Sequence, residues 1–139
     1  MRKEPEILNN TIEELIRYFS PLTQMGRVST EAISVCEHAL KADSKIALNW
    51  ASANRDANVF ENANEVVIDR KINPHVAFGF GTHNCLGATH ARQIMKVLIN
   101  TLIDEVKSID IVDYKENIEE LGNFKRKVGF DSLHVKFNS

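Results

Sequence analysis

The sequence predicts one domain of mixed α and β structure, and three observations support that class. Residues 87–107 carry apolar side chains at helical spacing, which is typical of an amphipathic helix. Short apolar runs bounded by turn-forming residues, such as residues 45–49, predict strands. The chain has 139 residues, of which 43% are hydrophobic and 26% charged, and these values suit a single globular domain.

The first half of the chain predicts one helix and several short strands. The helix covers residues 11–19 and stops before Pro21, because proline cannot continue a helix. Residues 27–34, 39–41 and 45–49 predict strands, the last two joined at Ala42-Asp43-Ser44. Residues 51–64 show little periodicity and predict a meandering loop with one helical turn.

The second half predicts a long helix followed by strands. Within residues 87–107 one apolar stripe is expected to be core; it comprises Ile94, Val97, Leu98, Thr101, Leu102 and Val106. Residues 110–114 and 124–137 predict strands, the second a hairpin that turns at Gly129. We find no internal repeat and no low-complexity linker.

Composition and charge exclude several classes of protein. The net charge of −2 argues against nucleic acid as the main partner. The chain begins with the polar run Met1-Arg2-Lys3-Glu4-Pro5, and its apolar runs are too short to span a membrane. If Cys85 binds a metal, Cys36 has no partner for a disulfide, which favours a reducing compartment such as the cytoplasm.

The segment Phe78-Gly79-Phe80-Gly81-Thr82-His83-Asn84-Cys85-Leu86-Gly87 places a cysteine in a glycine-rich loop just before the long helix. Glycine permits a tight or left-handed backbone and a close approach to a flat cofactor. If the cysteine lies at the start of the helix, the exposed N–H groups favour an anionic sulfur. These features predict a haem-thiolate site.

Other chemistries for this loop are less well supported by its spacing. A dinucleotide-binding fingerprint fails because Asn84 stands where a third glycine is needed. A zinc site built from Cys85 and His83, with His90, Cys36 or His38, lacks a recognised paired spacing. A buried structural cysteine remains the simplest alternative.

The loop resembles the cysteine-ligand loop of the cytochrome P450 family, F-G-x-G-x-H-x-C-x-G, at every defined position. The resemblance implies that Cys85 is the iron ligand of a haem b and that His83 lies beside a haem propionate. It also implies that Arg27 binds a propionate. The other loop residues expected at the cofactor are Phe78, Gly79 and Gly87.

A second motif of the same family, E-x-x-R, is met by Glu14 and Arg17, which lie on one helical face and can pair. In the family this pair is buried behind the haem, has a structural role, and is completed by an arginine of a P-x-R-F segment. This chain has Glu65 at that position, and Arg55 is the candidate replacement. Further matching segments are Ala51-Ser52-Ala53-Asn54-Arg55-Asp56, Asn73-Pro74-His75 and Gly129-Phe130-Asp131-Ser132-Leu133-His134-Val135.

The resemblance covers nearly the whole chain and corresponds to the C-terminal portion of a soluble bacterial or archaeal P450. It implies a monooxygenase. The sequence contains no A-G-x-[DE]-T run of the oxygen-activating helix, so we expect that the N-terminal portion is absent and that the chain alone is inactive. The alternatives are a non-catalytic haem-binding module or structural remnant acting with a partner chain, and, more weakly, a metal-free interaction domain.

The resemblance also suggests where substrate and partners bind. The segment Leu22, Thr23, Gln24 and Met25 matches the family segment that passes the distal pocket, so it could contact substrate. A cationic patch of Arg92, Lys96, Lys71 and His75 would suit an acidic ferredoxin-like electron donor. The missing N-terminal part or another copy of this chain is a further expected partner.

Overall fold

The computed structural model describes residues 5–138 and divides the chain into two compact units, with the boundary between Lys96 and Val97. The helices are α1 Pro5–Phe19, α2 Trp50–Ala53 and α3 Ala88–Glu105, with a 3-10 turn at Gly81–His83. The strands are β1 Gln24–Val28, β2 Ile33–Val35, β3 His38–Leu40, β4 Lys45–Asn49, β5 Ser108–Leu121 and β6 Phe124–Asn138. The mixed α and β class is therefore confirmed.

Helix α1 supplies much of the core of the first unit. Leu8, Ile12 and Ile16 recur at a spacing of four residues and are buried on one face. The helix begins at Pro5, before the predicted start at residue 11. The prediction missed the first turns because Asn9 and Asn10 are weak helix formers. It ends at Phe19, and the following Ser20 has a φ of +40° and donates from its hydroxyl to the Arg17 carbonyl at 2.8 Å.

The strands of the first unit pair differently from the prediction. Strand β4 pairs antiparallel with β1, and β3 pairs with β2, so the strands predicted at residues 39–41 and 45–49 do not pair with each other. The cause is the buried Ser29, which interrupts the predicted strand at residues 27–34. Its hydroxyl donates to the Lys41 carbonyl at 2.7 Å and accepts from the Ser44 N–H at 3.0 Å.

The second unit contains one long antiparallel hairpin of β5 and β6. It turns at Gly122 and Asn123, where Gly122 has the φ of +61° that glycine favours in tight turns. The predicted turn at Gly129 is wrong, because Gly129 lies within β6 opposite Asn117. Its φ of +137° coincides with a shift in strand register, so the glycine marks an irregularity in the ladder.

Helix α3 forms as predicted, but its apolar stripe is not core in the part of the chain that the structure describes. Ile94, Val97 and Leu98 are 56%, 65% and 56% exposed. An apolar stripe indicates that a helix face prefers to be covered, but residues 5–138 bury only Leu102 and Val106 of this stripe, and these only in part. Among the helices of these residues, none has the length and apolar character needed to cross a membrane.

Candidate functional site

A cavity of about 470 Å³ lies in the first unit between α1, β1, α2, the loop before α3 and the start of α3. Its walls are mainly apolar and include Ile16, Leu22, Met25, Trp50, Phe78 and Met95. Its polar lining side chains are Arg27, His83 and Cys85. The cavity therefore combines an apolar surface with one thiol and two groups that can bind carboxylates.

The loop that carries Cys85 is held by its own backbone. The Cys85 N–H donates to the Phe78 carbonyl at 2.8 Å, and the Asn84 N–H donates to the Gly81 carbonyl at 3.0 Å. Gly79 has a φ of +77°, and a Cβ there would lie 3.2 Å from the His83 carbonyl oxygen. Only glycine adopts this conformation without strain. The folded loop leaves the Cys85 thiol exposed, free of any disulfide and lining the cavity.

The predicted cofactor residues largely converge on this cavity. Phe78, Gly79, His83, Cys85 and Arg27 all line it. Gly87 is not among the lining residues but lies beside the sulfur, since a Cβ added to it would be 4.0 Å from Cys85 Sγ. The half-buried Arg27 donates from Nη1 to the Gly26 carbonyl at 2.8 Å.

A haem fits this set of residues better than a metal ion bound by protein side chains alone. A thiolate is an established haem ligand, apolar walls suit the porphyrin face, and cationic donors suit its propionates. Within residues 5–138, no group of three or more His, Cys, Asp and Glu side chains is placed to hold a metal ion. The zinc cluster considered above therefore does not form among the described residues.

The four residues of the predicted substrate segment do not all line the cavity. Leu22 and Met25 line the cavity and are 46% and 38% exposed. The Thr23 carbonyl accepts a hydrogen bond from the Ala51 N–H at 3.1 Å, and Gln24 pairs with Asn49 at the start of β1. Two of these four residues are thus placed to contact a molecule in the cavity.

Behind the cavity, Glu14 and Arg17 form a fully buried bidentate ion pair. Arg17 Nη2 is 2.7 Å from Glu14 Oε1, and Arg17 Nε is 2.8 Å from Glu14 Oε2. The remaining donors of Arg17 reach backbone carbonyls of Asn54, Ala63 and Glu65, each at 2.8 Å. Arg17 therefore ties α1 to the meander, and Glu65 takes part through its backbone.

The second arginine of this network is Arg70, and the expectation for Arg55 is corrected. Arg70 Nε donates to Glu14 Oε2 at 2.9 Å. Arg55 instead places its guanidinium carbon 3.8 Å from the centre of the Tyr18 ring and donates to the Tyr18 carbonyl at 2.8 Å. The stacking and this hydrogen bond hold Arg55 at the end of α1.

The contacts of Glu14 keep its carboxylate ionised. Burial alone would raise its pKa, but hydrogen bonds from Arg17, the Val67 N–H and Arg70 outweigh burial and lower the pKa to about 2. The Asn73 side-chain amide also donates to Glu14 Oε2 at 3.1 Å. Glu14 thus gathers donors from α1 and from the segment that leads into the cysteine loop.

The shifted pKa of Glu14 predicts a loss of stability in acid. Because its folded pKa, about 2, lies below its ordinary value of 4.5, the carboxylate stabilises the fold fully above pH 4.5 and loses this contribution as the pH falls towards 2. Between pH 7 and pH 3 we expect this group to cost about 2 kcal/mol of the free energy of unfolding. Urea unfolding measures the change, and carbon-13 NMR of the carboxyl assigns it. Protonation of Glu14 near pH 4.5 in the folded chain would contradict the prediction.

The predicted cationic patch is smaller in the structure than in the sequence. His75 has a side chain only 3% exposed, and its Nε2 is 3.0 Å from Glu13 Oε2. Arg92 also binds Glu13, with Nε 2.6 Å from Oε1 and Nη2 2.7 Å from Oε2. Both residues are therefore committed to a carboxylate. Lys71 is exposed and Lys96 half-buried.

Comparison with known proteins identifies the class to which this site belongs. Residues 1–122 match the family model of cytochrome P450. The chain is 34% identical over 137 residues to the biotin biosynthesis cytochrome P450 of Bacillus subtilis (strain 168), covering 99% of this chain and 34% of that protein. The chain therefore belongs to the cytochrome P450 family, whose cofactor is haem, and it spans about a third of the length of the curated relatives it matches.

Two solved structures are similar over nearly the whole chain. One is described as the structure of a carbohydrate active P450, with a TM-score of 0.90 and 69% identity over 99% of this chain and 37% of that one. The other is P450BioI in complex with an acyl carrier protein ligated to hexadec-9Z-enoic acid, with a TM-score of 0.85 and 33% identity over 99% of this chain and 35% of that one. The P450 fold predicted for this chain is confirmed by these likenesses.

Proposed function

We propose that this chain provides the thiolate face of the haem site of a P450 monooxygenase. The observation that carries the proposal is the exposed Cys85 thiol on an apolar cavity that also presents Arg27 and His83. A haem b bound there supplies iron for dioxygen activation, and a thiolate ligand favours cleavage of the O–O bond. The chain's own part is to hold, orient and partly enclose the cofactor.

The residues in and around the cavity have separate roles in this proposal. Cys85 binds the iron, and Arg27 and His83 donate hydrogen bonds to the propionates. Gly79 allows the loop its left-handed turn, and Gly87 lies beside the sulfur. Glu14 and Arg17 contact neither cofactor nor substrate and brace the meander from behind.

For the substrate we propose a carbohydrate. The support is the 69% identity to a carbohydrate active P450, against 33% for P450BioI over the same share of this chain. Leu22 and Met25 would form part of the pocket wall. Titrating the haem-loaded protein with neutral oligosaccharides, and with fatty acids as the comparison, tests the proposal. A shift of the Soret band with fatty acids alone would contradict it.

The proposed partners are an electron donor and a chain that completes the cavity. A ferredoxin-like electron donor is proposed near Lys71 and Lys96, which carry positive charge there. The remaining portion of the P450 fold, or a second copy of this chain, is proposed to complete the cavity. The two exposed free thiols, Cys36 and Cys85, suit a reducing compartment, for which we propose the cytoplasm.

A polypeptide of these 139 residues is expected to bind hemin but not to hydroxylate a substrate. Oxygen activation needs a site that excludes water, whereas Cys85 is exposed here and its neighbours Phe80 and Leu86 are 81% and 102% exposed. Turnover of reporter substrates is measured with a ferredoxin system and with peroxide, against free hemin. Failure to bind hemin would refute the haem-site proposal. Product well above the hemin background that depends on Cys85 would refute the expected inactivity. The alternative of a non-catalytic haem-binding module also expects inactivity, so the same result would refute it.

A further inference from the structure

Glu13, beside the Glu14 of the family motif, joins three segments of the first unit. Its carboxylate accepts both hydrogen bonds of a bidentate pair with Arg92 of α3, at 2.6 and 2.7 Å. The same carboxylate contacts His75 Nε2 at 3.0 Å, in the segment before the cysteine loop. One side chain of α1 therefore holds both the approach to the cysteine loop and the helix that follows it.

His75 is fixed in a definite arrangement by two contacts of its ring. Its Nδ1 accepts from the Ala77 N–H at 3.3 Å, while its Nε2 faces Glu13. A ring protonated on Nε2 satisfies both contacts, because it donates to the carboxylate and accepts from the backbone. The neighbouring Val76 N–H donates to Asn54 Oδ1 at 2.8 Å. The backbone at residues 75–77 is thus held from both sides.

Arg92 carries the effect of Glu13 to the cysteine. Its guanidinium carbon lies 4.6 Å from the centre of the Phe78 ring, a distance at which a cation is attracted to an aromatic face. The carbonyl of Phe78 accepts the hydrogen bond from the Cys85 N–H. The Phe78 ring also lines the cavity. Phe78 therefore connects Arg92 to Cys85, because its ring contacts the Arg92 guanidinium and its carbonyl accepts the hydrogen bond from the Cys85 N–H.

Adjacent residues of a helix point about 100° apart, so Glu13 and Glu14 act on different parts of the same segment. Glu14 accepts a hydrogen bond from Asn73, at the start of this segment. Glu13 contacts His75 further along it, and its partner Arg92 contacts the ring of Phe78. Burial tends to raise the pKa of Glu13, but the hydrogen bonds from Arg92 and His75 prevail and lower it. The Glu13 carboxylate is therefore charged at neutral pH.

We propose that Glu13 is a positioning residue for Cys85. Through His75 and Arg92 it fixes the Phe78 carbonyl that receives the Cys85 N–H, and this sets the direction in which the thiol faces the cavity. Its effect on iron ligation rests on the proposed haem-thiolate function. Its effect on the order of the loop does not.

The first arm of the test uses the full chain without haem. Amide hydrogen exchange is followed for the loop N–H groups of Gly79 and Cys85 in wild type and in Glu13→Gln. Loss of the charged bidentate pair is expected to speed exchange in the loop by about tenfold. Glu31→Gln is the matched control on an exposed glutamate, and Leu8→Ala is the control for general destabilisation of α1. If Glu13→Gln speeds exchange throughout the first unit, as Leu8→Ala does, Glu13 is merely structural and the proposal is overturned.

The second arm uses the chain loaded with hemin at equal haem content. The fraction of ferrous–carbon monoxide complex with the red-shifted band of a thiolate ligand is expected to fall several-fold in Glu13→Gln and to stay unchanged in Glu31→Gln. An unchanged fraction in Glu13→Gln would overturn the role towards the thiol. If wild type itself lacks the thiolate band, the proposed haem-thiolate function fails. The exchange data then still decide whether Glu13 orders the loop.

Discussion

Replacing Cys85 with serine is expected to abolish thiolate ligation of haem by this chain. A serine hydroxyl stays protonated at neutral pH and is a poor iron ligand, whereas a thiolate is a strong one. The ferrous–carbon monoxide difference spectrum of the hemin-loaded chain should therefore lose its red-shifted Soret band completely. Haem retention should fall as well, since the cavity would hold the cofactor through its apolar walls, Arg27 and His83 alone.

Cys36→Ser is the matched control for this experiment. Cys36 is an exposed, free cysteine in the turn between β2 and β3 and does not line the cavity. The control should keep the red-shifted band at the wild-type intensity. A red-shifted band that survives in Cys85→Ser and disappears in Cys36→Ser would show that Cys36 is the iron ligand, which would contradict the assignment of Cys85.

Glu14→Ala is expected to unfold the first unit or to destabilise it severely. The substitution leaves two arginines without their carboxylate, Arg17 with a side chain that is fully buried and Arg70 with one that is 9% exposed. Removal of one partner of a buried pair costs about 3–5 kcal/mol. That is a large share of the roughly 5–15 kcal/mol by which a domain is stable. Urea unfolding and thermal melting measure the loss.

The matched control is Glu31→Ala, which removes an exposed carboxylate of the same unit. Exposed substitutions of this kind usually change stability by less than about 0.5 kcal/mol. Glu14→Gln separates charge from shape, because an amide keeps one acceptor oxygen for Arg17 but no charge. A Glu14→Ala chain that melts like the control would show that the pair contributes no more than a surface contact.

The cysteine loop could be predicted from sequence because its determinants are local. Gly79 and Gly81 both adopt the left-handed backbone for which glycine is suited, with φ of +77° and +69°. The Cys85 N–H bonds to Phe78, only seven residues earlier in the printed sequence. Motifs of this kind have their hydrogen bonds within themselves, so their residue pattern indicates their geometry. The family that this pattern predicted is confirmed by the comparisons.

The completion of the Glu14 network could not be predicted in the same way. Arg70 is 56 residues from Glu14 along the chain, and nothing in the local pattern distinguishes it from Arg55. The choice depends on how the meander folds back over α1. Arg55 is drawn instead to the Tyr18 ring. Glu13 was missed for a related reason, since its partners Arg92 and His75 come together only in the folded unit.

Strand pairing was the weakest part of the prediction. A short strand shows its own pattern but not its partner, and β4 pairs with β1 across an intervening hairpin. The turn glycine was misplaced because Gly122 and Gly129 both have positive φ, and only the register shows that Gly129 lies within a strand. The stripe of α3 was predicted to be core because an apolar pattern indicates a preference for burial without showing what covers it.

We propose that the sulfur of Cys85 binds the iron of a haem held in the cavity of the first unit. X-ray absorption at the iron edge of the hemin-loaded chain tests this ligation, since it distinguishes a sulfur neighbour from nitrogen and oxygen. We predict one sulfur ligand in wild type and in Cys36→Ser, and none in Cys85→Ser. An iron surrounded only by nitrogen and oxygen in the wild-type chain would contradict the account.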